Sequence, residues 1–286
     1  MNRFVLLTDD QILLAGYHWP SKTCSLPRGV LLLLHGVAEH SGRYENLIEF
    51  YNKNNFAILT MDLRGHGQSD GKSLFIPTVE AIFQDIDLLI KKAKQLYPSL
   101  PFIFYGHSMG GNLALSYTLD RFPNKTDSCP YQGIVVTSPW IRLAGFYQPP
   151  RPIYSVIRAV CRIRPSLNVT LRFNTRKITR DTNVVDAYER DETIRRKATL
   201  SLARHIGGLA AKLDQNTDEF HIPVLVEHGQ EDSITSHSAS VRFAERGKNI
   251  DFKSWPNCFH ELHSEPEKDE IFQYTLEWIV QNVLDK

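Results

Sequence analysis

The stretch Phe102-Ile-Phe-Tyr-Gly-His-Ser-Met-Gly-Gly111, followed at once by Asn112-Leu-Ala-Leu-Ser-Tyr-Thr-Leu119, decides the fold of this chain. Its apolar and aromatic beginning is long enough for one buried strand, which breaks at Gly106. The sequence then turns through Ser108 and continues beyond Gly110 in a helical pattern. This order predicts a strand, a tight turn and a helix, with a serine at the apex of the turn.

The glycines on either side of the turn suit Ser108 for a chemical role. A serine at so tight a turn has a strained backbone, and the residues two positions away must lack side chains that would collide with the adjoining strand and helix. Gly106 and Gly110 meet this requirement, so the segment matches the G-x-S-x-G pattern of a nucleophile elbow. The three fixed letters alone are a weak signal, and an idle serine in a glycine-bounded turn is the alternative. The strand and helix predicted around them favour the elbow.

Length and composition restrict the class of protein. The chain has 286 residues, 42% of them hydrophobic, and a formal net charge of +1. It can bury one sizeable core with an insertion, and its charge gives no general attraction to nucleic acid. No apolar run reaches the roughly 20 residues that span a bilayer, and the first ten residues are too short an apolar segment for a signal peptide. We therefore expect a soluble, cytoplasmic protein. The four cysteines are far apart and are expected to be free thiols: Cys24, Cys129, Cys161 and Cys258.

Strands and helices alternate along most of the chain. A hairpin is predicted over 3–19, and further strands at 29–34, 56–61, 102–105, 134–137, 222–228 and 250–255. Helices are predicted at about 43–54, 78–97, 206–213, 236–247 and 267–284, besides the one after the elbow. Such alternation implies parallel pairing with helices on both faces of one sheet, here a mostly parallel eight-stranded one. Chemistry in such sheets lies at the carboxyl ends of the strands.

The alternation breaks between residues 139 and 205. This segment is helical in character and carries 14 lysines and arginines against 5 aspartates and glutamates. The local charge marks it as a separate piece, which we interpret as a helical cap inserted over the sheet edge. The predicted division is a core over 1–138, a cap over 139–205 and a second part of the core over 206–286.

A reactive serine needs two partners later in the chain. Its hydroxyl requires a base within hydrogen-bond reach, and a third group fixes the tautomer of that base. In the α/β-hydrolase fold the order is serine, acid, histidine, with both partners in loops after strands. Asp232 follows the strand that ends at His228 and is the favoured acid, although Glu231 is a neighbouring candidate and loop carboxylates often cap helices. His260 follows the last strand and is the favoured base.

Two other requirements concern the oxyanion and metals. The developing oxyanion needs two N–H donors, and the fold supplies them from the residue after the nucleophile, Met109, and from the loop after the third strand, Val37. The segment His260-Glu-Leu-His263 does not fit the zinc motif H-E-x-x-H, because its histidines are three and not four residues apart. We expect neither a metal nor another cofactor.

Three motifs together resemble one family of serine hydrolases. They are His35-Gly-Val-Ala-Glu-His-Ser-Gly-Arg-Tyr44, Asp62-Leu-Arg-Gly-His-Gly-Gln-Ser-Asp-Gly71 and Gly106-His-Ser-Met-Gly-Gly111, and with their surroundings they are similar to the monoacylglycerol lipase and lysophospholipase family over nearly the whole chain. The resemblance implies an α/β-hydrolase fold and a lipid ester substrate. It also implies these site residues: Ser108 as nucleophile, Asp232 as acid, His260 as base, and the Val37 and Met109 amides as oxyanion hole.

The resemblance extends into the loop after the third strand and into the cap. Glu39, His40, Arg43 and Tyr44 match the loop motif of the family, whose role we interpret as holding that loop in shape. In the cap, the signature is matched by Arg180-Asp181, Tyr188 and Asp191-Glu192-Thr193, with Glu192 where a proline is common. The basic charge of the cap is a further departure from a family whose usual substrates are neutral monoglycerides.

One cap segment has a basic amphipathic pattern. Its apolar positions share a helical stripe and its arginines fall elsewhere: Ile153, Val156, Ile157, Val160 and Ile163, against Arg158, Arg162 and Arg164. Such a helix can lie in a membrane interface, and we hypothesise that it docks the protein on anionic lipid. An ordinary cap helix with its apolar side inward is the alternative.

The sequence thus favours hydrolysis of the carboxylic ester of a single-chain lipid, most directly a monoacylglycerol, through an acyl-enzyme on Ser108. Lysophospholipase activity is the alternative within the same chemistry, since the cap arginines could meet a phosphate. A binding module that keeps the fold without catalysis is the alternative from another class.

Overall fold

The computed structural model describes residues 1–22, 26–124, 128–148, 150–170, 173–216 and 219–285. Its strands are β1 Asn2–Leu7, β2 Leu13–Trp19, β3 Gly29–Leu34, β4 Phe56–Met61, β5 Phe102–His107, β6 Gly133–Thr137, β7 Asn168–Thr170, β8 Lys197–Thr199, β9 Val224–Gly229 and β10 Ile250–Trp255. Its α-helices are α1 Glu45–Lys53, α2 Val79–Leu96, α3 Met109–Arg121, α4 Arg151–Ile163, α5 Thr182–Arg190, α6 Leu200–Asp214, α7 His237–Arg246 and α8 Lys268–Ile279. Every predicted core strand and helix is therefore present.

Eight strands form one sheet in the order β1-β2-β4-β3-β5-β6-β9-β10. The pairs from β4 to β10 are parallel, whereas β1 pairs with β2, and β2 with β4, in antiparallel fashion. The prediction of a mostly parallel eight-stranded sheet is confirmed. The strand that leads to Ser108, β5, lies near the middle between β3 and β6, so the carboxyl ends of its neighbours surround the elbow.

The two faces of the sheet bury two separate apolar clusters. Along β3, Leu32 and Leu34 belong to the cluster packed under α2, α3 and α6, while Leu31 and Leu33 belong to the cluster packed under α1 and α8. Side chains of a strand point alternately to opposite faces, so a strand covered on both faces must be apolar at every position. This explains the uninterrupted run of leucines in β3.

The connection from β6 to β9 contains the inserted elements. It holds α4, α5 and α6 together with β7 and β8, which pair as a two-stranded antiparallel sheet. The predicted helix over 206–213 begins earlier, at Leu200, because the side chain of Thr199 caps it by accepting the N–H of Leu202. Helix α6 thus crosses the predicted boundary at 205, and the division into core and cap stays a proposal.

Helix α4 has its predicted position, but its apolar stripe is only partly covered, with Ile157 and Val160 half-buried. Ile153, Val156 and Ile163 are 47%, 61% and 82% exposed, whereas Cys161 is buried. Among the described residues, no helix has the length and apolar content needed to cross a bilayer. Cys129, Cys161 and Cys258 are free thiols, and Cys24 lies outside the described residues.

Candidate active site

Ser108 lies at a strained turn between β5 and α3. Its backbone has a φ of 52° and a ψ of −112°, a conformation that costs energy for any residue with a side chain. A Cβ on Gly106 would lie 2.5 Å from the carbonyl oxygen of Gly110, and a Cβ on Gly110 would lie 2.2 Å from that of Leu34. Both contacts are too short to exist, so the two glycines allow the helix to approach the sheet this closely. The Ser108 amide donates to the carbonyl of Thr137 at 3.0 Å, which ties the elbow to β6.

The predicted acid and base meet in the structure. Nδ1 of His260 lies 2.7 Å from Oδ2 of Asp232. The other carboxylate oxygen of Asp232 accepts the backbone N–H groups of Ile234 and Thr235 at 2.7 and 3.1 Å. The neighbouring candidate, Glu231, is exposed. The geometry therefore brings Asp232, and not Glu231, to the histidine.

A second histidine, His228, binds the same carboxylate oxygen and was not anticipated. Its Nε2 lies 3.0 Å from Oδ2 of Asp232, and its Nδ1 lies 2.8 Å from the hydroxyl of Ser240. Burial alone would raise the pKa of Asp232, but His260 and His228 together hold it well below the usual range. A histidine at the end of a strand and four residues before the candidate acid was the available signal.

Further histidines surround His260. The ring of His107 lies 4.8 Å from that of His260 and 4.9 Å from that of His263, measured between centroids. Burial, followed by the nearby His260 and His263, holds the pKa of His107 well below its usual value. Burial would also lower the pKa of His260, but the adjacent Asp232 carboxylate overrides it and the pKa is raised. Of these rings, His260 is therefore suited to carry a proton.

The predicted oxyanion donors, the amides of Val37 and Met109, belong to the loop after β3 and to the start of α3. Met109 is the first residue of α3, where a backbone N–H has no partner one turn earlier in the helix. The amide of Gly36 is already engaged, because it donates to Oε1 of Glu39 at 2.6 Å, and the amide of Val37 stays the predicted donor of this loop. Val37 and Ser108 line the same cavity.

A buried ion cluster supports the loop that carries Val37. The guanidinium of Arg43 donates to Glu39 at 2.6 Å and to both carboxylate oxygens of Glu261 at 2.6 and 2.8 Å. Burial would raise the pKa of Glu39, but Arg43 holds it well below the usual range. The phenol of Tyr44 also donates to Glu39, at 2.6 Å. The family loop motif thus forms a connected network, which the sequence alone showed only as a pattern.

The cap signature contacts this loop. The ring of Tyr188 lies under the Arg43 guanidinium at 4.6 Å, and Nε2 of His40 lies 2.8 Å from Oδ2 of Asp191. Oδ1 of Asp191 accepts from the amide and the hydroxyl of Thr193 at 2.8 and 2.6 Å. These residues therefore seat α5 and the turn after it on the loop after β3.

A cavity of about 370 Å³ joins these residues. Ser108 and His260 both line it, at the edge of the sheet below the inserted segment. Its volume falls within the range of sites for small molecules. Much of its wall is apolar and comes from the inserted segment and the loops beside it: Trp140, Leu143, Phe173, Ile178, Leu202 and Ile234.

Metal-ligating side chains gather at one place in the described part of the chain. Cys258, Glu265 and Glu267 have ligating atoms close to one another. Both carboxylates already bind Arg180, with Nε donating to Glu265 at 2.7 Å and the other contact made to Glu267. The Arg180 guanidinium thus already supplies the positive charge that these two carboxylates would otherwise offer to a metal ion.

Comparisons with known proteins cover nearly the whole chain. A sequence profile of the family described as serine aminopeptidase, S33, matches residues 25–267. An uncharacterized abhydrolase domain-containing protein of Dictyostelium discoideum is 32% identical over 281 residues, which are 97% of this chain and 29% of that protein. This chain therefore spans less than a third of that relative.

Two further comparisons involve proteins named as lipases. A monoacylglycerol lipase of Mycolicibacterium smegmatis is 29% identical over 260 residues, which cover 90% of both chains. A solved structure of a soluble variant of monoglyceride lipase from Saccharomyces cerevisiae, in complex with a substrate analogue, superposes with a TM-score of 0.84. It is 21% identical and covers 98% of this chain and 95% of the other. The superposition confirms the predicted α/β-hydrolase fold.

Proposed function

Because this chain belongs to the serine aminopeptidase S33 family and is a lipase- or esterase-type hydrolase, we propose that it cleaves the carboxylic ester of a single-chain lipid. A monoacylglycerol is the favoured substrate. The observation that carries the proposal is one cavity with an apolar wall, lined by Ser108 and by the His260 that Asp232 holds. An aminopeptidase would need a free carboxylate for the substrate amine, whereas Glu39 and Glu261, which line the cavity, both bind Arg43.

The proposed reaction proceeds in two acyl transfers. The Ser108 oxygen attacks the ester carbonyl carbon while Nε2 of His260 takes the hydroxyl proton. The amides of Val37 and Met109 donate hydrogen bonds to the oxyanion of the tetrahedral intermediate. The bond to the alcohol oxygen then breaks, and His260 returns its proton to that oxygen. Water attacks the acyl-enzyme with His260 again as base, which releases the fatty acid and restores Ser108.

The charges in the cavity favour a neutral substrate over a lysophospholipid. Among the described residues that line it, the charged side chains besides His260 are Glu39, Arg43 and Glu261. They bind one another through three hydrogen bonds, so a phosphate on Arg43 would have to compete with two buried carboxylates for the same guanidinium. Lysophospholipase activity therefore stays the alternative.

A comparison of matched substrates tests the proposal. The enzyme is assayed with monoacylglycerol and lysophosphatidylcholine of the same acyl chain, alongside Ser108→Ala. We expect kcat/KM to be at least about tenfold higher for the monoacylglycerol, and turnover of both to be lost in the variant. A preference for the lysophospholipid would favour the alternative. Hydrolysis retained by Ser108→Ala would refute the assignment of the nucleophile, and the absence of activity on both lipids would favour a binding module.

We also propose that α4 contacts lipid surfaces while the protein is otherwise cytoplasmic. Ile153, Val156 and Ile163 are exposed on α4, and Arg162 and Arg164 are exposed beside them. Exposed apolar and basic side chains on one helix suit an anionic lipid interface. Sedimentation with vesicles that contain or lack anionic lipid tests this idea, with Val156→Ser and Ile163→Ser expected to weaken binding. Equal binding to both vesicle types, or none, would end it.

A further inference from the structure

The three charged residues Glu39, Arg43 and Glu261 form what we call the Arg43 cluster. Their side chains are between 4% and 9% exposed, and the guanidinium donates to both carboxylates at 2.6 Å. A buried carboxylate without a cation is costly, so each acid requires the arginine. The planar guanidinium can satisfy both acids at once, with a bidentate contact to Glu261 and a single contact to Glu39.

The two acids belong to different loops of the candidate active site. Glu39 lies in the oxyanion loop, residues 35–40, and accepts the amide of Gly36, the residue before the predicted donor Val37. Glu261 lies in the base loop, residues 256–261, and follows the predicted base His260 directly. Arg43 therefore links the loop that carries the predicted oxyanion donor Val37 to the loop that carries the predicted base His260.

The inserted segment also contacts the Arg43 cluster and the oxyanion loop. The ring of Tyr188 covers the guanidinium at 4.6 Å, and the amide of Glu261 donates to the carbonyl of Ile178 at 2.7 Å. The amide of Arg195 donates to the carbonyl of Ala38 at 3.0 Å. The cluster thus lies where three segments meet, which restricts each loop in more than one direction.

We propose that Arg43 is a positioning residue, which holds the oxyanion loop and the base loop at the separation that ester hydrolysis requires. The inference rests on the proposed function and assigns a residue that does not itself exchange a proton with the substrate. Lysine cannot replace Arg43, because its single ammonium does not reproduce the planar fork toward two carboxylates. A displacement of about 1 Å between reacting groups can cost on the order of 100-fold in rate.

The chain contains a matched control for Arg43→Lys. Arg64 is also buried and also binds two carboxylates, the buried Asp85 at 2.6 and 2.7 Å and the exposed Asp10 at 2.8 Å. Neither it nor its two acids line the cavity that contains Ser108. Arg64→Lys therefore makes the same chemical change in a similar cluster without touching the two catalytic loops.

The test measures kcat and KM for p-nitrophenyl butyrate, a small soluble ester, together with the affinity for a phenylboronic acid that mimics the tetrahedral intermediate. For Arg43→Lys we expect kcat to fall about 10- to 100-fold with KM within about threefold, and boronate affinity to fall in parallel. For Arg64→Lys we expect kcat within about threefold of wild type at a temperature where both variants are folded. Glu261→Gln, which loses one charge-assisted contact, is the second variant and should lower kcat in the same way.

The outcomes separate this inference from the function on which it rests. A wild-type enzyme that cleaves the ester, together with Arg43→Lys and Glu261→Gln variants of unchanged kcat, would overturn the positioning role alone. A loss in Arg43→Lys no larger than that in Arg64→Lys would do the same, because it would show only general destabilisation. A wild-type chain inert to the ester would overturn the proposed function and this inference with it.

Discussion

Nδ1 of His260 lies 2.7 Å from Oδ2 of Asp232, although the two residues are 28 positions apart. Asp232 follows β9 and His260 follows β10, and these strands are parallel neighbours at one edge of the sheet. The contact therefore arises from topology, since the carboxyl ends of adjacent parallel strands lie side by side. It gives the imidazole a fixed orientation toward the cavity that Ser108 also lines.

Loss of the Asp232 charge should remove most of the activity. Asp232→Asn keeps the size of the side chain but presents an amide to two histidines and two backbone N–H groups. We expect kcat to fall about 10³- to 10⁴-fold, because the imidazole loses its tautomer control and the partner of its positive form. Steady-state kinetics with p-nitrophenyl butyrate measures the loss. A fall of less than about tenfold would exclude Asp232 as the acid, and Glu231→Gln, expected to be near wild type, is the control.

Activity should depend on a group that titrates above the ordinary histidine range. Burial opposes the charge on His260, but Asp232, Glu261 and Glu39 raise its pKa above the usual value of about 6.5. A general base must be neutral to accept a proton, so kcat/KM should fall about tenfold per pH unit below that pKa. A profile of kcat/KM from pH 4.5 to 9 should show its acid limb above pH 6.5. A limb at lower pH would contradict the assigned surroundings of the base.

The elbow glycines should be intolerant of even one methyl group. Gly110→Ala would place a Cβ 2.2 Å from the backbone oxygen of Leu34, so the helix must move away from β3. We expect a loss of about 3 kcal/mol in the free energy of unfolding and a large loss of kcat. Gly208→Ala in α6 meets nothing within 4 Å and should stabilise by about 0.5–1 kcal/mol. Urea unfolding measures both, and equal effects would contradict the steric account.

A buried glutamate in β9 should make stability depend on pH. Burial raises the pKa of Glu227 to about 7, despite hydrogen bonds from Thr275 and Trp255. The folded chain then keeps a proton that the unfolded chain loses near pH 4.5, so stability falls as the pH rises from about 4.5 to 7 and stays lower above that. Glu227→Gln removes this loss, worth roughly 3 kcal/mol, because 1.36 kcal/mol corresponds to one pKa unit.

Urea unfolding at pH 5 and pH 8 measures this effect. The difference in stability between Glu227→Gln and wild type should increase in favour of the variant at the higher pH. Glu245→Gln, at an exposed position of α7, is the control for the substitution itself. A difference that is the same at both pH values would show that Glu227 does not keep its proton in the folded chain.

Much of the fold followed from local pattern, while the connections around the site did not. The apolar run of β3 and the glycines around Ser108 each reflect a constraint that one short segment carries, so the sequence was sufficient to predict them. The contact of Arg43 with Glu261 joins two loops that only the tertiary fold brings together. His228 lies only four residues before Asp232, but their contact depends on how the loop after β9 turns back on the end of the strand. The periodicity of apolar residues predicts helices and strands, but it does not predict contacts between side chains of loops.

The inserted segment was the least predictable part. The sequence indicated a helical cap but not the pairing of β7 with β8, whose strands have only three residues each. Nor did it show which apolar residues of α4 would be exposed. Periodicity identifies the apolar stripe of a helix, but it does not say whether protein, lipid or water covers that stripe. The exposure of Val156 and Ile163 is therefore compatible with the apolar stripe that the sequence predicts.

The most direct measurement is labelling of the folded protein with a fluorophosphonate probe, followed by mass spectrometry of the peptide that contains residue 108. The account predicts one adduct, on Ser108, that forms in the wild type and is lost in Ser108→Ala. It also predicts labelling at least about 100-fold slower in His260→Ala, since the hydroxyl then lacks its base. A folded wild-type protein that is not labelled, or is labelled at another serine, would contradict the assignment of Ser108 as the nucleophile.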